Sequence, residues 1–370
     1  MKKLFKVLVS ATMALSLVAC SSSDDSSKET GAKIAVVTDV GQLNDGGFNQ
    51  GTWEGAVAFA EANGYTYQYY QPANGSDATD DDRIAAMRQA IENGAEVIVT
   101  PGFLQETAIS TVAAESPDVK FVFVDGYTLG LDNVTAISYK EHESGYLAGY
   151  AAVKDGYTSL GGTFGGAGTN PACNRFAYGY VQGANDAAAE LGSTVDVKIS
   201  FLNGASFSAS TELQTQIAGW YNSGVQVVFA CGGSMLQSVK SAANETTDGK
   251  IIGVDVDQAS ESDRVITSAV KGLSASVQLI LTEWMNGEWD AKLANKESKL
   301  GASDNATGLP TAEGSWRLTT FTVDEYNELF SKVADGTITI DSDVASDMSA
   351  DAAWASLVAK CTNVNFTLEK

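Results

Sequence analysis

The chain has 370 residues, of which 44% are hydrophobic and 19% are charged. These proportions are typical of a folded protein and exclude a largely disordered chain, and the length fits about two domains of ordinary size. The formal net charge of −23 excludes a surface that neutralises nucleic-acid phosphates. The single histidine, His142, argues against His-rich metal sites and against a histidine-dependent catalytic triad.

The N-terminus has the pattern of a targeting segment. Three lysines precede an apolar run over 8–19, which is too short to span a bilayer. The run ends in the small residue Ala19 followed by Cys20, which resembles a bacterial lipobox, where cleavage precedes the cysteine and the cysteine carries the lipid. We therefore predict a signal peptide over 1–19 and a diacylated, palmitate-bearing Cys20. An ordinary secretory signal is the alternative.

The polar residues that follow, together with Cys20, predict a flexible tether over 20–31. Two acyl chains anchor a protein stably to a membrane, whereas a single chain binds only weakly and reversibly. The mature protein is therefore expected on the extracytoplasmic face of the cell membrane. With Cys20 lipidated, Cys173, Cys231 and Cys361 remain, and an odd number of cysteines cannot all pair. Their spacing fits no metal knuckle, so buried or free thiols and no metal site are predicted.

From Lys33 onward, short apolar runs alternate with stretches of helical pattern. The first run, 33–38, is typical of a parallel strand that is buried on both faces. A helix is predicted over 48–63, with Gly64 as its stop. Further strands are predicted over 65–70, 97–99 and 121–124, and helices are predicted from the acidic run 80–82 and over 104–114. This βαβ order predicts a parallel sheet with right-handed connections.

The same pattern recurs further along the chain. Residues 94–102 resemble residues 224–232, and residues 120–125 resemble residues 250–255, both with an offset of 130. We interpret the chain as two similar α/β lobes, an N-terminal lobe over 32–140 and a C-terminal lobe over 141–265.

The repeat places Asp125 and Asp255 at the carboxyl ends of equivalent strands. Open parallel sheets bind ligands outside these ends, so both carboxylates are expected in one shared cleft. A capping or turn role is the alternative for each aspartate.

Several catalytic and cofactor patterns are missing. The glycine-rich run 161–168 lacks the lysine of a phosphate loop, and no serine has the glycine spacing of a hydrolase nucleophile elbow. His142 is predicted at the start of a surface helix. A calcium-dependent nucleoside hydrolase needs a larger acidic cluster than Asp39 and Asp45 supply at the first strand. We therefore expect a protein that is not an enzyme and holds no cofactor.

The run from Thr38 to Gln50 resembles the opening motif of the basic membrane protein family, whose members are similar to PnrA-like purine nucleoside receptor lipoproteins of ABC transport systems. Gly47 stands where the family has serine. Further similar segments lie at 145–149, 174–183, 252–258 and 267–271. The matching positions of the opening motif are Asp39, Gly41, Asn44, Asp45, Phe48, Asn49 and Gln50.

This resemblance implies a type I periplasmic-binding-protein-like α/β fold: two Rossmann-like lobes with parallel sheets and three crossovers. It also implies return segments near 266–290 for the N-terminal lobe and near 310–370 for the C-terminal lobe. A monomer would bind a purine nucleoside in the interlobe cleft and deliver it to ABC permease subunits, with no nucleic acid as partner.

The resemblance also implies the ligand contacts. The base would stack on Phe48 and on Phe207, although the sequence around Phe207 departs from the family pattern. The ribose hydroxyls would bind Asp255 and Lys271, and Gly232 would allow close backbone approach. The base edge would contact Asp125, Asp39, Asp45 and Asn49, with Asn44 in the same ligand-binding set.

Three other functions remain open from the sequence. A sugar or autoinducer receptor of the same fold would bind a pentose without needing a base. A nucleoside-cleaving enzyme would release free base. A surface adhesin or antigen would bind no small ligand.

Overall fold

The computed structural model describes residues 32–40 and 42–370, so the predicted signal peptide, Cys20, the whole of the predicted tether and Gly41 lie outside the described residues. In chain order the strands are β1 (Ile34–Val37), β2 (Tyr67–Tyr70), β3 (Val97–Pro101), β4 (Lys120–Val124), β5 (Val134–Tyr139), β6 (Ser159–Phe164), β7 (Val195–Ser200), β8 (Val227–Cys231), β9 (Lys250–Asp255), β10 (Val265–Lys271), β11 (Glu297–Leu300), β12 (Thr307–Gly308) and β13 (Val364–Glu369).

The helices alternate with these strands over most of the chain, as the sequence predicts. They are α1 (Phe48–Asn63), α2 (Asp80–Glu92), α3 (Glu106–Glu115), α4 (Glu141–Lys154), α5 (Pro171–Glu190), α6 (Thr211–Asn222), α7 (Met235–Asn244), α8 (Leu273–Met285), α9 (Val323–Ala334) and α10 (Asp351–Lys360). Gly64 ends α1 in the left-handed conformation, as predicted. No helix among the described residues is long and apolar enough to cross a membrane.

The strands form two sheets, one in each lobe. The first has the order β11-β5-β4-β3-β1-β2, and the second has the order β12-β10-β9-β8-β6-β7-β13. All neighbouring strands are parallel except β10 and β12, which are antiparallel. The predicted α/β fold with two parallel-dominated sheets is therefore confirmed.

The first sheet is buried on both faces. Ile34 and Val36 of β1 pack with α1 and α8, whereas Ala35 and Val37 pack with α2 and α3. Because successive strand residues point to opposite faces, a strand covered on both sides must be apolar at every position. This explains the nearly continuous apolar runs of the sequence.

The chain passes between the lobes three times: from β5 to α4, from β10 to α8, and from β11 to β12. Strand β10 pairs in parallel with β9 and belongs to the second sheet. The return to the first sheet therefore consists of α8, which packs on α1, and β11, which pairs with β5, rather than beginning at residue 266. The C-terminal strand β13 pairs in parallel with β7 at the edge of the second sheet.

Helices α4 and α5 pack closely along a seam of glycines. A Cβ atom on Gly145 would lie 2.2 Å from the Phe176 carbonyl oxygen, and one on Gly179 would lie 2.0 Å from the His142 carbonyl oxygen. Only glycine allows backbones to approach this closely. The seam buries the first turn of α4, so His142 begins a helix as predicted, but the prediction that this helix start is on the surface is wrong.

The glycine seam predicts that Gly179→Ala destabilises the protein, because the new methyl group would overlap the α4 backbone. We expect the free energy of unfolding, measured in urea, to fall by about 1–3 kcal/mol. Gly219→Ala is the matched control, since Gly219 is exposed in α6 with no atom near its Cβ position. That change should be neutral or stabilising by up to about 1 kcal/mol. Equal effects of the two substitutions would contradict the seam.

Candidate functional site

A cavity of about 340 Å³ lies between the two lobes, at the carboxyl ends of their parallel strands. Its position is the one at which open α/β sheets bind ligands. The structure brings together all of the residues that the sequence predicts at a ligand. These lining residues are Asp39, Asn44, Asp45, Phe48, Asn49, Asp125, Phe207, Gly232, Asp255 and Lys271.

The centre of the cleft is a buried cluster of three charges. The Lys271 Nζ atom lies 2.6 Å from Asp125 Oδ2 and 3.1 Å from Asp255 Oδ1. Asp125 follows β4 in the first sheet, whereas Asp255 and Lys271 end β9 and β10 in the second sheet. The ion pair between Lys271 and Asp125 therefore joins the lobes.

The two aspartates occupy equivalent positions, as the repeat predicts. Each lies at or just past the carboxyl end of its strand and has a positive φ, 56° for Asp125 and 69° for Asp255. Aspartate tolerates this left-handed conformation better than most residues other than glycine. The repeated backbone turn thus places both carboxylates within reach of the same ammonium group.

Burial and charge shift the pKa values of this cluster in defined directions. Burial raises the pKa of Asp125 and of Asp255, and Lys271 opposes that rise. Burial would lower the pKa of Lys271, but the two carboxylates outweigh it and hold this pKa well above its ordinary value. The two carboxylates therefore favour the charged form of Lys271 in the cleft.

Asp45 positions the start of α1. Its carboxylate accepts hydrogen bonds from the backbone N–H groups of Gly47 (2.8 Å), Asn49 (3.0 Å) and Gln50 (3.2 Å). Burial raises the pKa of Asp45 to about 6, although these bonds oppose the rise. Much of its accepting capacity is thus used by the backbone, and it holds Phe48 and Asn49 at the cleft wall.

Two buried acceptor atoms of the cleft residues have no hydrogen-bond partner among residues 32–40 and 42–370. They are Asp125 Oδ1 and Asn49 Oδ1. A buried polar atom without a partner costs about 1–3 kcal/mol, so donors from a bound molecule would be stabilising here. The cleft therefore has the chemistry to bind a molecule that carries N–H or O–H groups.

Aromatic rings surround the charge cluster. Lys271 Nζ lies 4.5 Å from the centroid of the Phe48 ring and 5.7 Å from that of Phe176. Phe207 has a φ of 57° and lies against glycines, because a Cβ on Gly165 would be 2.3 Å from its ring. A Cβ on Gly232 would lie 3.0 Å from the same ring. These glycines make room for Phe207 at the cleft.

Some cleft residues are absent from the predicted site. Phe176 lies in a segment that resembles the family, yet its place on the wall depends on how α5 packs. Cys173 and Cys231 are buried free thiols, as predicted, but both also line the cavity.

A buried ion pair lies beside the cleft, where Arg175 Nε donates to Glu141 at 2.5 Å. Residue spacing could have indicated the N-terminal turn of α5, because Asn170 caps it and Pro171 begins it.

No group of three or more potential metal ligands occurs among residues 32–40 and 42–370. Lys271 forms ion pairs with both Asp125 and Asp255 in the cleft. The arrangement suits reversible binding of a polar molecule between two lobes.

The fold is similar to that of solved ABC transporter solute-binding proteins. A structure from Aeropyrum pernix K1, described as an ABC transporter system solute-binding protein, has a TM-score of 0.72 and 21% sequence identity, covering 89% of this chain and 97% of that chain. The fold is therefore that of the type I periplasmic-binding-protein-like class.

Residues 32–339 match the model of the Bmp family, described as ABC transporter substrate-binding protein PnrA-like. The chain belongs to this family, which consists of substrate-binding proteins of ABC transporters rather than enzymes. The resemblance inferred from the opening motif is thus confirmed.

Two curated relatives span most of the chain. The ABC transporter nucleoside-binding protein BmpA of Lactococcus lactis subsp. cremoris is 32% identical, over 83% of this chain and 93% of its own length. The CD4+ T-cell-stimulating antigen of Listeria monocytogenes serovar 1/2a is 26% identical, over 92% of this chain and 98% of its own length.

The charge cluster predicts that Lys271→Met is strongly destabilising, because it leaves two buried carboxylates without their cation. We expect the free energy of unfolding at pH 7 to fall by about 3–5 kcal/mol. Lys292→Met is the control, since Lys292 is an exposed partner of Glu283 and its loss should change stability little.

The deficit of the Lys271→Met variant should depend on pH. Without the cation, burial holds the pKa of both aspartates above the ordinary value of about 3.9. Groups with raised pKa values stabilise the folded state at low pH and lose that contribution as the pH rises through the folded pKa. Urea unfolding should therefore show a deficit that shrinks as the pH falls from 7 toward 4. A deficit independent of pH would contradict this account.

Proposed function

We propose that this protein captures a purine nucleoside in the interlobe cleft for an ABC importer and that it does not act as an enzyme. The observation that carries the proposal is the Asp125–Lys271–Asp255 cluster next to the Phe48 ring. The nucleoside-binding description of the Lactococcus relative supports the same ligand class.

A nucleoside has a flat base, ribose hydroxyls and several N–H groups, and the cleft offers a partner for each. Phe48 and Phe207 are the proposed stacking residues, and stacking contributes about 1–3 kcal/mol per base. Asp255 and Lys271 would bind the ribose hydroxyls, and a hydrogen bond to a charged group contributes about 1.5–3 kcal/mol. Asp125 and Asn49 each have a buried acceptor that lacks a partner in the described part of the chain, and these atoms would accept from the base edge.

Asp39, Asn44, Asp45 and Gly232 complete the proposed ligand-binding set. Gly232 has a φ of 141° and would permit close approach of its backbone to the ligand. The cavity volume of about 340 Å³ lies at the small end of the range of about 300–1,000 Å³ for small-molecule sites. A single nucleoside is therefore a better match than a larger conjugate.

The charge of the cleft favours a neutral ligand. Four aspartates and one lysine line it: Asp39, Asp45, Asp125, Asp255 and Lys271. An added phosphate would lie near several carboxylates, and like charges in a buried site repel strongly. We therefore propose selection of nucleosides over nucleoside phosphates.

Titration calorimetry with a panel of ligands tests this function. Inosine, adenosine or guanosine should bind with a Kd of about 1 µM or below, whereas ribose, free base and inosine 5′-monophosphate should each bind at least about tenfold more weakly.

Phe48→Ala should weaken nucleoside binding by about tenfold or more, since about 1.4 kcal/mol corresponds to one decade. Tyr69→Ala is the control, because Tyr69 is an exposed aromatic residue that does not line the cleft.

The other outcomes of this panel point to different functions. Binding of ribose as tight as that of nucleosides would favour the sugar or autoinducer receptor. Release of free base from inosine would revive the nucleoside-cleaving enzyme. Absence of any binding across the panel would favour the adhesin or antigen.

We also propose that the protein is held on the extracytoplasmic face of the cell membrane by lipid on Cys20, as a monomer that contacts permease subunits. The support is the apolar run before Ala19-Cys20 and the polar segment that follows. Cys20→Ser should move the protein from the membrane fraction to the medium, and labelled palmitate should no longer be incorporated. Ser22→Ala is the control. Equal membrane retention of both variants would contradict the anchor.

A further inference from the structure

Two of the cysteines lie side by side in the wall of the cleft. Cys173 Sγ and Cys231 Sγ are 3.9 Å apart, although the residues are 58 positions apart in the sequence. Cys173 is in the first turn of α5, and Cys231 ends β8. Both line the interlobe cavity.

The third cysteine of the second lobe, Cys361, can be compared with this pair for burial and for access from the cleft. Cys361 is buried to the same degree, with 5% exposure against 6% for Cys173 and 1% for Cys231. It does not line the cavity, and burial raises its pKa to about 12. Burial alone therefore does not distinguish the three thiols. Cys173 and Cys231 differ from Cys361 because they line the cleft and because each has the other's sulfur as a neighbour.

The two paired thiols have different surroundings. The backbone N–H of Cys173 donates to Asn170 Oδ1 at 2.8 Å, so Cys173 occupies the third position of a capped, 20-residue helix. The S–H group of Cys231 donates toward Cys173 Sγ, and that of Cys173 donates toward the Cys231 carbonyl oxygen, each over 3.9 Å. Burial raises the pKa of Cys231 well above its ordinary value. Cys173 is the more exposed of the two thiols, at 6% against 1% for Cys231, so we assign Cys173 as the sulfur that attacks first.

We propose that Cys173 and Cys231 form a redox-active thiol pair that a small-molecule disulfide, entering through the cleft, oxidises to an intramolecular disulfide. Cys173 loses its proton to solvent and attacks one sulfur of the small disulfide, whose S–S bond breaks. One thiolate leaves, takes up a proton, and the other half stays on Cys173 as a mixed disulfide. Cys231 then attacks the Cys173 sulfur and releases the second half, which takes the Cys231 proton.

The reaction balances without any other reagent. The protein loses two electrons and two protons, and the small disulfide is reduced to two thiols. The sulfur atoms must approach from 3.9 Å to about 2.05 Å. The new bond would tie the start of α5 to the end of β8, next to Phe176 on one side and Gly232 on the other.

Oxidation of the reduced full-length protein by 2-hydroxyethyl disulfide tests the proposal, because this reagent is small and neutral. Trypsin separates the three cysteines onto peptides 155–175, 199–240 and 361–370, so mass spectrometry follows each one. We expect peptides 155–175 and 199–240 to become linked, with Cys173 and Cys231 consumed at least about tenfold faster than Cys361. Dithiothreitol should reverse the link.

Two variants test the order of attack. Cys231→Ser should stop at a mixed disulfide on Cys173, whereas Cys173→Ser should leave Cys231 unmodified over the same time. Circular dichroism verifies that each variant is folded. The redox pair is overturned if folded wild-type protein forms no link or if Cys361 reacts as fast, and the assigned order is overturned if Cys231 reacts first. None of these measurements requires a nucleoside, so the result is independent of the proposed function.

Discussion

The ion pair between Lys271 and Asp125 is the buried contact on which the chemistry of the interlobe cleft depends. It is buried, 2.6 Å long, and joins a strand end of one lobe to a strand end of the other. Asp255 supplies a second carboxylate to the same ammonium group from within the second lobe. Gln258 adds a further link, since its side-chain amide donates to the Gly46 carbonyl oxygen at 2.8 Å. Separating the lobes would expose these groups to water, so lobe opening and the electrostatics of the cleft are coupled.

The features of the cleft that repeat in the amino-acid sequence could be predicted from that sequence. Equal offsets placed Asp125 and Asp255 at equivalent strand ends, and the structure has both at one cleft. The unbroken apolar runs predicted strands that are buried on both faces. The first sheet has this arrangement, since helices cover each of its sides. The opening motif led to the Bmp family and through it to the two-lobed fold.

What could not be predicted depends on contacts distant in sequence. The polar run around His142 predicts the start of a surface helix, yet α5 covers it through a seam of glycines from both helices. Cys173 and Cys231 lie side by side because the start of α5 packs near the end of β8, and the spacing of the cysteines in the sequence does not predict that contact. The family resemblance implied a return to the first lobe near residue 266, but the pairing of β10 with β9 keeps that strand in the second lobe.

The glycine seam has a consequence for how the cleft can change. Helix α5 carries Cys173 and Phe176 on the cleft wall, while Gly179 and Gly183 fix its distance from α4. An enlarged residue in the seam would push the whole helix outward and shift that wall as one rigid piece. Ligand preference in such a protein can therefore drift through substitutions that never touch the ligand, and surveys confined to the lining residues would miss them.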